Sequence, residues 1–348
     1  MKTKIPVGIL GATGMVGQMF IKRLADHPWF EIVSLAASER SQGKTFKQAS
    51  RWLMDSPIPE KVASMVLDPC IPTLPCQLVF SGLDSNVAGE IEESFAQAGY
   101  FVISNSKNHR MDPSVPLLVP EVNSKHLALL DGKEGKRGGI ITNPNCSVVG
   151  LVMALKPLAD LWGVEAVNVV TMQAISGAGY PGVSAYDIID NVIPFISDEE
   201  DKVETEPHKI LGTFKNNRID PYAIPISAHC NRVACRDGHV ECVSVKLKKK
   251  ASFEEIVNAW NSYSAVPQHL KLPSAPQSPL RYFEEENYPQ PKWHRNLGDG
   301  MTVSLGRLRK CPVLDWKFAL LSHNLIRGAA GGAILNAELL VKEKRLKG

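Results

Sequence analysis

Apolar and polar positions follow two different rhythms along this chain, and the change falls before its midpoint. The first part carries short, continuous apolar runs: "IPVGIL" at 5–10, "EIVSLAAS" at 31–38, "CQLVFSGL" at 76–83 and "YFVISNS" at 100–106. Runs of that length predict strands buried on both faces. Between them, "QMFIKRLADH" puts Met19, Phe20 and Leu24 at helical spacing, and "NVAGEIEESFAQAG" at 86–99 predicts a second helix. Strands alternating with helices imply a doubly wound parallel sheet, its ligand at the strands' C-terminal ends.

After about residue 145 the rhythm changes. "VEAVNVVTMQAIS" (164–176), "NRVACRDGHVECVSVKLKKK" (231–250) and "MTVSLGRLRK" (301–310) predict long strands, with "RDG" as a hairpin turn inside the second. This is an α+β segment on a mainly open sheet. The tail "SHNLIRGAAGGAILNAELLVKEKRL" predicts a glycine-broken turn and a strong helix, which return to the first part. The fold class expected is therefore α/β: a Rossmann-type domain from 1–145 plus 323–348, and an α+β catalytic domain from 146–322.

Composition narrows the function classes. A net charge of +3, scattered over 348 residues, does not suit nucleic acid, and "KLKKK" at 246–250 reads as the solvated end of a strand. No stretch approaches the ~20 apolar residues of a membrane span. The N-terminus has a basic start and an apolar run, yet Gly11, Gly14 and Gly17 interrupt it and no A-x-A-like site follows, so export is not expected. Seven cysteines, with no C-x-x-C pair, predict free thiols in a reducing cytoplasm and no metal site.

Gly11, Gly14 and Gly17 follow the first predicted strand and open the first predicted helix. Glycine there permits a tight turn, lets backbone approach a pyrophosphate and leaves that anion on the helix N-terminus. The spacing is G-x-x-G-x-x-G, not the commoner G-x-G-x-x-G, so a ligand-free glycine turn competes with the nucleotide reading. At the end of the second strand an NAD enzyme usually places an acid for the ribose hydroxyls. Here Ser38, Arg40, Ser41 and Lys44 surround a lone Glu39, which suits the 2′-phosphate of NADP. Glu39 turned inward, with Arg40 merely solvated, is the other arrangement.

"NPNCSVVG" then puts Cys146 where a strand hands over to a helix. A thiolate there is stabilised by the helix dipole and free N–H groups, which makes it a nucleophile near neutral pH. Asn145, or N–H groups beside it, can supply donors to an oxyanion. A small buried thiol at a tight turn is the bland alternative. Beside a hydride carrier, an activated thiol suggests attack on an aldehyde, hydride transfer and a thioester. That scheme needs a base, and His239 in "RDGHVE" is the candidate, with His229 and His323 as rivals.

The segments "GATGMVG", "FSGLDSNVAGEIE", "NPNCSVVG", "ISGAGYPG", "EPHKILGT", "CNRVACRDGHVE" and "NLIRGAAGGAILNAE" stand in the order of the aspartate-semialdehyde dehydrogenases. The chain resembles that family nearly end to end, and "AASERSQGK" is similar to its archaeal and fungal branch. The resemblance implies NADPH-dependent reductive dephosphorylation of L-aspartyl-4-phosphate to L-aspartate 4-semialdehyde, leading toward lysine, diaminopimelate, methionine, threonine and isoleucine. It makes Cys146 the acyl-thioester nucleophile, His239 the acid/base, and Gln173 the glutamine that orients the reacting carbonyl.

It also implies Arg232 for the substrate carboxylate, Glu206 for the ammonium, and Arg110 and Lys209 for the phosphate. Thr13, Met15 and Val16 fall in the glycine turn, Ser81, Gly82 and Leu83 at the cofactor edge of the sheet, and Ser176, Gly177, Gly179, Asn324 and Gly328 at the nicotinamide. A homodimer or tetramer, joined through the second domain's sheet, is the implied assembly. Residues 251–297 match no placed motif and are expected at a pocket rim or subunit contact. Cys235, near His239, reads as a plain buried thiol. Malonyl-CoA reductase and N-acyl-glutamyl-phosphate reductase are alternatives of similar build, but neither substrate has a free ammonium for Glu206. A catalytically silent dinucleotide sensor is the alternative from another class.

Overall fold

Five short apolar runs and the two-residue strand Asp68–Pro69 line up as one parallel sheet in the first of two compact units. Its strands are β1 (Ile5–Leu10), β2 (Phe30–Ala37), β3 (Asp68–Pro69), β4 (Leu78–Ser81), β5 (Phe101–Ser104) and β6 (Gly139–Thr142). Their spatial order is β3-β2-β1-β4-β5-β6. Every residue of β4, β5 and β6 is buried, which explains why these strands read as unbroken apolar runs rather than alternating ones. From β1 the chain moves outward to β2 and β3, then crosses back to β4 on the other side. The switch in direction between β1 and β4 is where a doubly wound sheet opens a crevice. Helix α1 (Met15–Leu24) leaves β1 at that crevice, and α2 (Ser85–Gln97) leaves β4. The helix Gly331–Lys342 belongs to the same unit, anchored by Glu338 to His27 Nε2 at 2.8 Å and by Asn336 to Asn143 at 2.6 Å.

The computed structural model describes residues 4–131 and 138–346; residues 1–3, 132–137 and 347–348, which the expected domain ranges include, lie outside the described residues. The first unit comprises 1–118, 125–143 and 329–348, and the second 119–124 and 144–328. Residues 119–124, 144–145 and 323–328, expected in the first domain, thus fall in the second unit. The physical tie is a buried ion pair: Arg327 donates to both oxygens of Glu121, at 2.7 and 2.5 Å.

The second unit begins with α3 (Cys146–Leu161), then β7 (Val164–Gln173) and α4 (Glu199–Ile210). A small hairpin, β8 (Thr213–Lys215) and β9 (Arg218–Asp220), precedes β10 (Ile226–Arg232) and β11 (His239–Leu247). After α5 (Phe253–Asn261) come β12 (Leu280–Phe283), β13 (Val303–Lys310) and β14 (Trp316–Ser322). Apart from the hairpin, these strands form one mixed sheet ordered β10-β7-β11-β14-β13-β12. Helices α3, α4 and α5 cover one face, while Asn168, Ser227, His229, Cys242 and Lys246 stand exposed on the other. The unplaced segment 251–297 supplies α5 and the edge strand β12.

The hairpin expected at "RDG" does not form. β10 and β11 are not neighbours: β7 lies between them, parallel to β10 and antiparallel to β11. The connection 233–238 instead wraps past the end of β7, where the Val233 N–H donates to the Gln173 carbonyl at 3.0 Å and the Ser176 N–H to the Arg236 carbonyl at 3.1 Å. Gly238, at φ +96°, supplies the left-handed turn back into β11. The edge strand β10 keeps two outward N–H groups from being orphaned by borrowing carboxylates from α4. The Ala228 N–H donates to Glu204 and the Cys230 N–H to Glu200, at 2.9 and 3.0 Å.

Candidate active site

Three strands end together where β7 stops. Gln173, its last residue, pairs with Arg232 on β10, and the β11 register (Val240 opposite Met172) brings His239 to its other side. All three side chains are buried at the sheet's helix-covered face. The lost hairpin therefore brings Arg232 and His239 to one point by a different route, with Gln173 between them.

Cys146 opens α3 above this point. Its Sγ lies 3.1 Å from His239 Nε2. His239 Nδ1 accepts from the Ala174 N–H at 3.0 Å. A backbone N–H cannot be turned into an acceptor, so in the neutral ring the proton sits on Nε2, facing the sulfur. Burial first, then Arg232 and His323, push the His239 pKa from an ordinary 6.5 down to about 3, which keeps the ring neutral. In that tautomer His239, expected as the acid/base, turns an N–H toward the Cys146 sulfur. Among the rivals, His229 is exposed on β10, and His323 is buried and influences His239 as a neighbouring charge. Arg232, whose Nη1 donates to the Ala174 carbonyl at 2.8 Å, is close enough to Cys146 for the two to interact electrostatically. A cation there favours the thiolate.

Asn145 is the N-cap of α3. Its Oδ1 accepts from the N–H groups of Ser147 and Val148, at 2.9 and 3.3 Å. Its own N–H donates to Glu206 Oε2 at 2.7 Å, and Nδ2 donates to Glu199 Oε1 at 2.6 Å. Those bonds make Asn145 a cap and an anchor, and leave the second Nδ2 hydrogen for the oxyanion role expected of it. Gln173 Nε2 donates to Thr171 Oγ1 at 3.3 Å and to the same Glu199 oxygen at 3.1 Å. Glu199 is the residue that sequence reasoning missed. "SDEEDKVE" reads as a solvated acidic run, and only the spacing of Glu199, Val203, Glu206 and Ile210 on one helix face hinted otherwise.

Two family models match the chain: the semialdehyde dehydrogenase NAD-binding domain over residues 6–130, and the semialdehyde dehydrogenase dimerisation domain over 155–327. An aspartate-semialdehyde dehydrogenase from Archaeoglobus fulgidus is 47% identical over 342 residues, spanning 97% of this chain and 98% of that one. The chain belongs to the aspartate-semialdehyde dehydrogenase family. The crystal structure of the Candida albicans aspartate-semialdehyde dehydrogenase with NADP superimposes with a TM-score of 0.91 at 41% identity, covering 99% of this chain and 100% of that one. Aspartate-semialdehyde dehydrogenase II of Vibrio cholerae, complexed with ASA, gives 0.78 at 26% identity, over 98% and 99%.

For an aspartate-semialdehyde dehydrogenase the remaining expected residues sort by unit. In the first, Gly11 adopts φ +73°, and a Cβ on it would meet the Gly82 carbonyl oxygen at 2.8 Å. A Cβ on Gly17 would stand 2.3 Å from the Gly11 carbonyl oxygen. Gly14 caps α1 without a side-chain bond, and the first turn carries no acid. A bare-backbone cradle at an uncapped helix N-terminus fits a pyrophosphate, with Thr13, Met15 and Val16 around it. Ser38, Arg40 and Lys44 are exposed just past β2, with Ser41 half-buried, and Glu39 is exposed too rather than inward. Ser81 ends β4 fully buried, its hydroxyl donating to buried Glu92 at 2.6 Å, and of this group only the neighbouring Gly82 and Leu83 are partly exposed. Arg110 is also in this unit, donating to the Asn105 carbonyl at 2.9 Å.

In the second unit, Gly177 and Gly328, expected against nicotinamide, pack on Arg232, His239 and Cys146. A Cβ on Gly177 would lie 2.8 Å from Arg232 Nη1 and 3.2 Å from His239 Cε1. One on Gly328 would lie 2.8 Å from Cys146 Cβ. Ser176 and Asn324 are bonded to each other at 2.8 Å, and Gly179, at φ +72°, borders open space. Lys209 and Glu206 are buried on the inner face of α4. Cys235 is half-buried, its thiol pushed up by burial, and so behaves as a plain thiol. Among the described residues no cluster of His, Cys, Asp and Glu could hold a metal ion, and no helix is long and apolar enough to cross a membrane.

Proposed function

We propose that this chain carries out NADPH-dependent reductive dephosphorylation of L-aspartyl-4-phosphate to L-aspartate 4-semialdehyde, with Cys146 as the acyl carrier. The observation that carries the reading is the 3.1 Å contact between Cys146 Sγ and the Nε2 of a buried, neutral His239 at the N-terminus of α3. The sulfur, held as an anion by the helix terminus, Arg232 and the Nε2–H, attacks the acyl carbon. The carbon–oxygen bond to phosphate breaks, inorganic phosphate leaves and a thioester remains. NADPH, when bound, supplies the hydride that converts this thioester to a thiohemiacetal anion. His239 Nε2–H, released from the acylated sulfur, donates to the oxyanion. Collapse breaks the carbon–sulfur bond, releases the aldehyde and restores the thiolate without a proton having to cross the imidazole.

Arg232 is suited to the substrate carboxylate, Glu206 to its ammonium and Lys209 to phosphate. Gly11, Thr13, Gly14, Met15, Val16 and Gly17 would hold the pyrophosphate of NADP, and Ser38, Arg40, Ser41 and Lys44 its 2′-phosphate. The buried Glu206 favours an α-amino substrate over malonyl-CoA or an N-acylated glutamyl phosphate. The reading includes a homodimer or tetramer, which the exposed second face of the β10–β12 sheet supports, and a reducing cytoplasm, which seven free thiols support.

Phosphate-dependent reduction of NADP with L-aspartate semialdehyde tests it, with malonyl-CoA and N-acetylglutamate semialdehyde as parallel substrates. Cys146→Ala should lose essentially all turnover and keep NADPH binding. Near-normal rates in that variant would reject the assignment.

A further inference from the structure

Helix α4 turns two carboxylates inward, seven residues apart, and both end on the residue before the nucleophile. Glu206 takes the Asn145 backbone N–H and Glu199 takes its side-chain amide. The same Glu199 oxygen accepts from Gln173 at the end of β7, and its other oxygen is met by Lys202 at 3.3 Å. Glu199 is only 6% exposed. With both oxygens engaged by the protein, this carboxylate has none left for a substrate group. It is a junction between the first turn of α3, the last residue of β7 and the first turn of α4, where the helix dipole favours an anion.

We propose that Glu199 is a positioning residue that fixes Asn145 beneath the nucleophile and sets which way the Gln173 amide faces. The inference rests on the function proposed above. Counting donors shows why the orientation matters. An amide nitrogen carries two hydrogens, and those of Gln173 go to Thr171 and Glu199. A flipped amide would set its oxygen against a carboxylate. Gln173 therefore has only Oε1, an acceptor, left, and not the donor that orienting the reacting carbonyl, the role the resemblance implies, would need. On the other arm, Nδ2 of Asn145 bound to Glu199 leaves Oδ1 to cap Ser147 and Val148, which holds the turn that carries Cys146. Both bonds fall on one carboxylate oxygen, so a neutral acceptor of the same shape can reproduce them.

The test compares three replacements in the full enzyme, after wild-type turnover with aspartate semialdehyde, phosphate and NADP has been established. Glu199→Ala and Glu199→Leu, the latter filling the space but accepting nothing, should each lower kcat by about 10-fold or more, since misplacement of that order costs rate. Their KM for NADP should stay within about twofold, because the nucleotide residues are untouched. Glu199→Gln should recover kcat to within about threefold of wild type, its Oε1 accepting both bonds more weakly without the charge. On an Asn145→Ala/Gln173→Ala background, Glu199→Leu should add less than about threefold, because residues acting through one another are not additive. A Leu variant with wild-type kcat, a Gln variant as impaired as Leu, or a loss that multiplies undiminished on that background would each overturn the proposal. A wild type that turns over none of the three acyl substrates would instead overturn the function itself.

Discussion

His239 makes the acid limb of the stability curve a direct report on its hydrogen bonds. Its native pKa is lowered from 6.5 to about 3, chiefly by burial. The unfolded chain takes up a proton near pH 6.5 that the native chain refuses until about pH 3, so stability is complete above 6.5 and drains away as the pH falls toward 3. Each pH unit inside that window removes about 1.4 kcal/mol, giving about 3 kcal/mol at pH 4.5 and a ceiling near 5 kcal/mol. His239→Asn removes the titration but keeps an acceptor for the Ala174 N–H. Urea denaturation of both proteins at pH 7.5 and pH 4.5 isolates the effect, because the other titrating groups are common to both. Wild type should lose about 3 kcal/mol more than the variant across this interval. Parallel losses would mean that the native ring accepts a proton at pH 4.5. The Ala174 N–H could not then be donating to Nδ1 at that pH, and the tautomer assigned to the neutral ring would lose its support.

Three further outcomes are expected. Gly328→Ala puts a methyl 2.8 Å from Cys146 Cβ; overpacking should cost about 1–3 kcal/mol in a thermal melt, and displacement of the thiolate should slow both turnover and iodoacetamide labelling by about 10-fold, so unchanged labelling would contradict the packing. Glu241, fully buried on β11 with neither carboxyl oxygen bonded, is pushed well above its ordinary range by burial and by Glu199. Its native form keeps a proton that the unfolded chain releases above about pH 4.5, so stability should fall as pH rises. Glu241→Gln should then be more stable than wild type at pH 8 and level with it near pH 4, and a constant gap would refute this. Arg40→Ala should raise the KM for NADPH by about 10-fold, the worth of one charge-assisted phosphate bond, and leave that for NADH nearly unchanged; equal effects on both would remove Arg40 from the 2′-phosphate.

What the sequence disclosed depended on the range of the interaction. The glycine turn and the β1–α1 handover involve neighbours within a dozen residues, so Gly11, Gly14 and Gly17 could be read in place. Asn145 was local as well: an Asn immediately before a helix is first an N-cap, and its Oδ1 takes the Ser147 and Val148 N–H groups. The "RDG" turn was a sound local signal set against a non-local fact. β7 is more than fifty residues upstream, and its insertion between β10 and β11 satisfies both of its hydrogen-bonding edges, which a two-stranded hairpin would leave bare. No turn residue encodes that competition.

Glu199 was hidden for the same reason. Its partners Asn145 and Gln173 lie 54 and 26 residues away, and in "SDEEDKVE" it is one acid among five. The acids of α4 nonetheless divide by face: Glu200 and Glu204 close the edge of β10, while Glu199 and Glu206 reach Asn145. A run that reads as solvated charge therefore serves two sets of buried or half-buried N–H groups. Removing charge from it should weaken the sheet edge and the catalytic turn separately: Glu204→Gln should lower the melting temperature while sparing kcat, whereas Glu199→Leu should lower kcat even in molecules that remain folded.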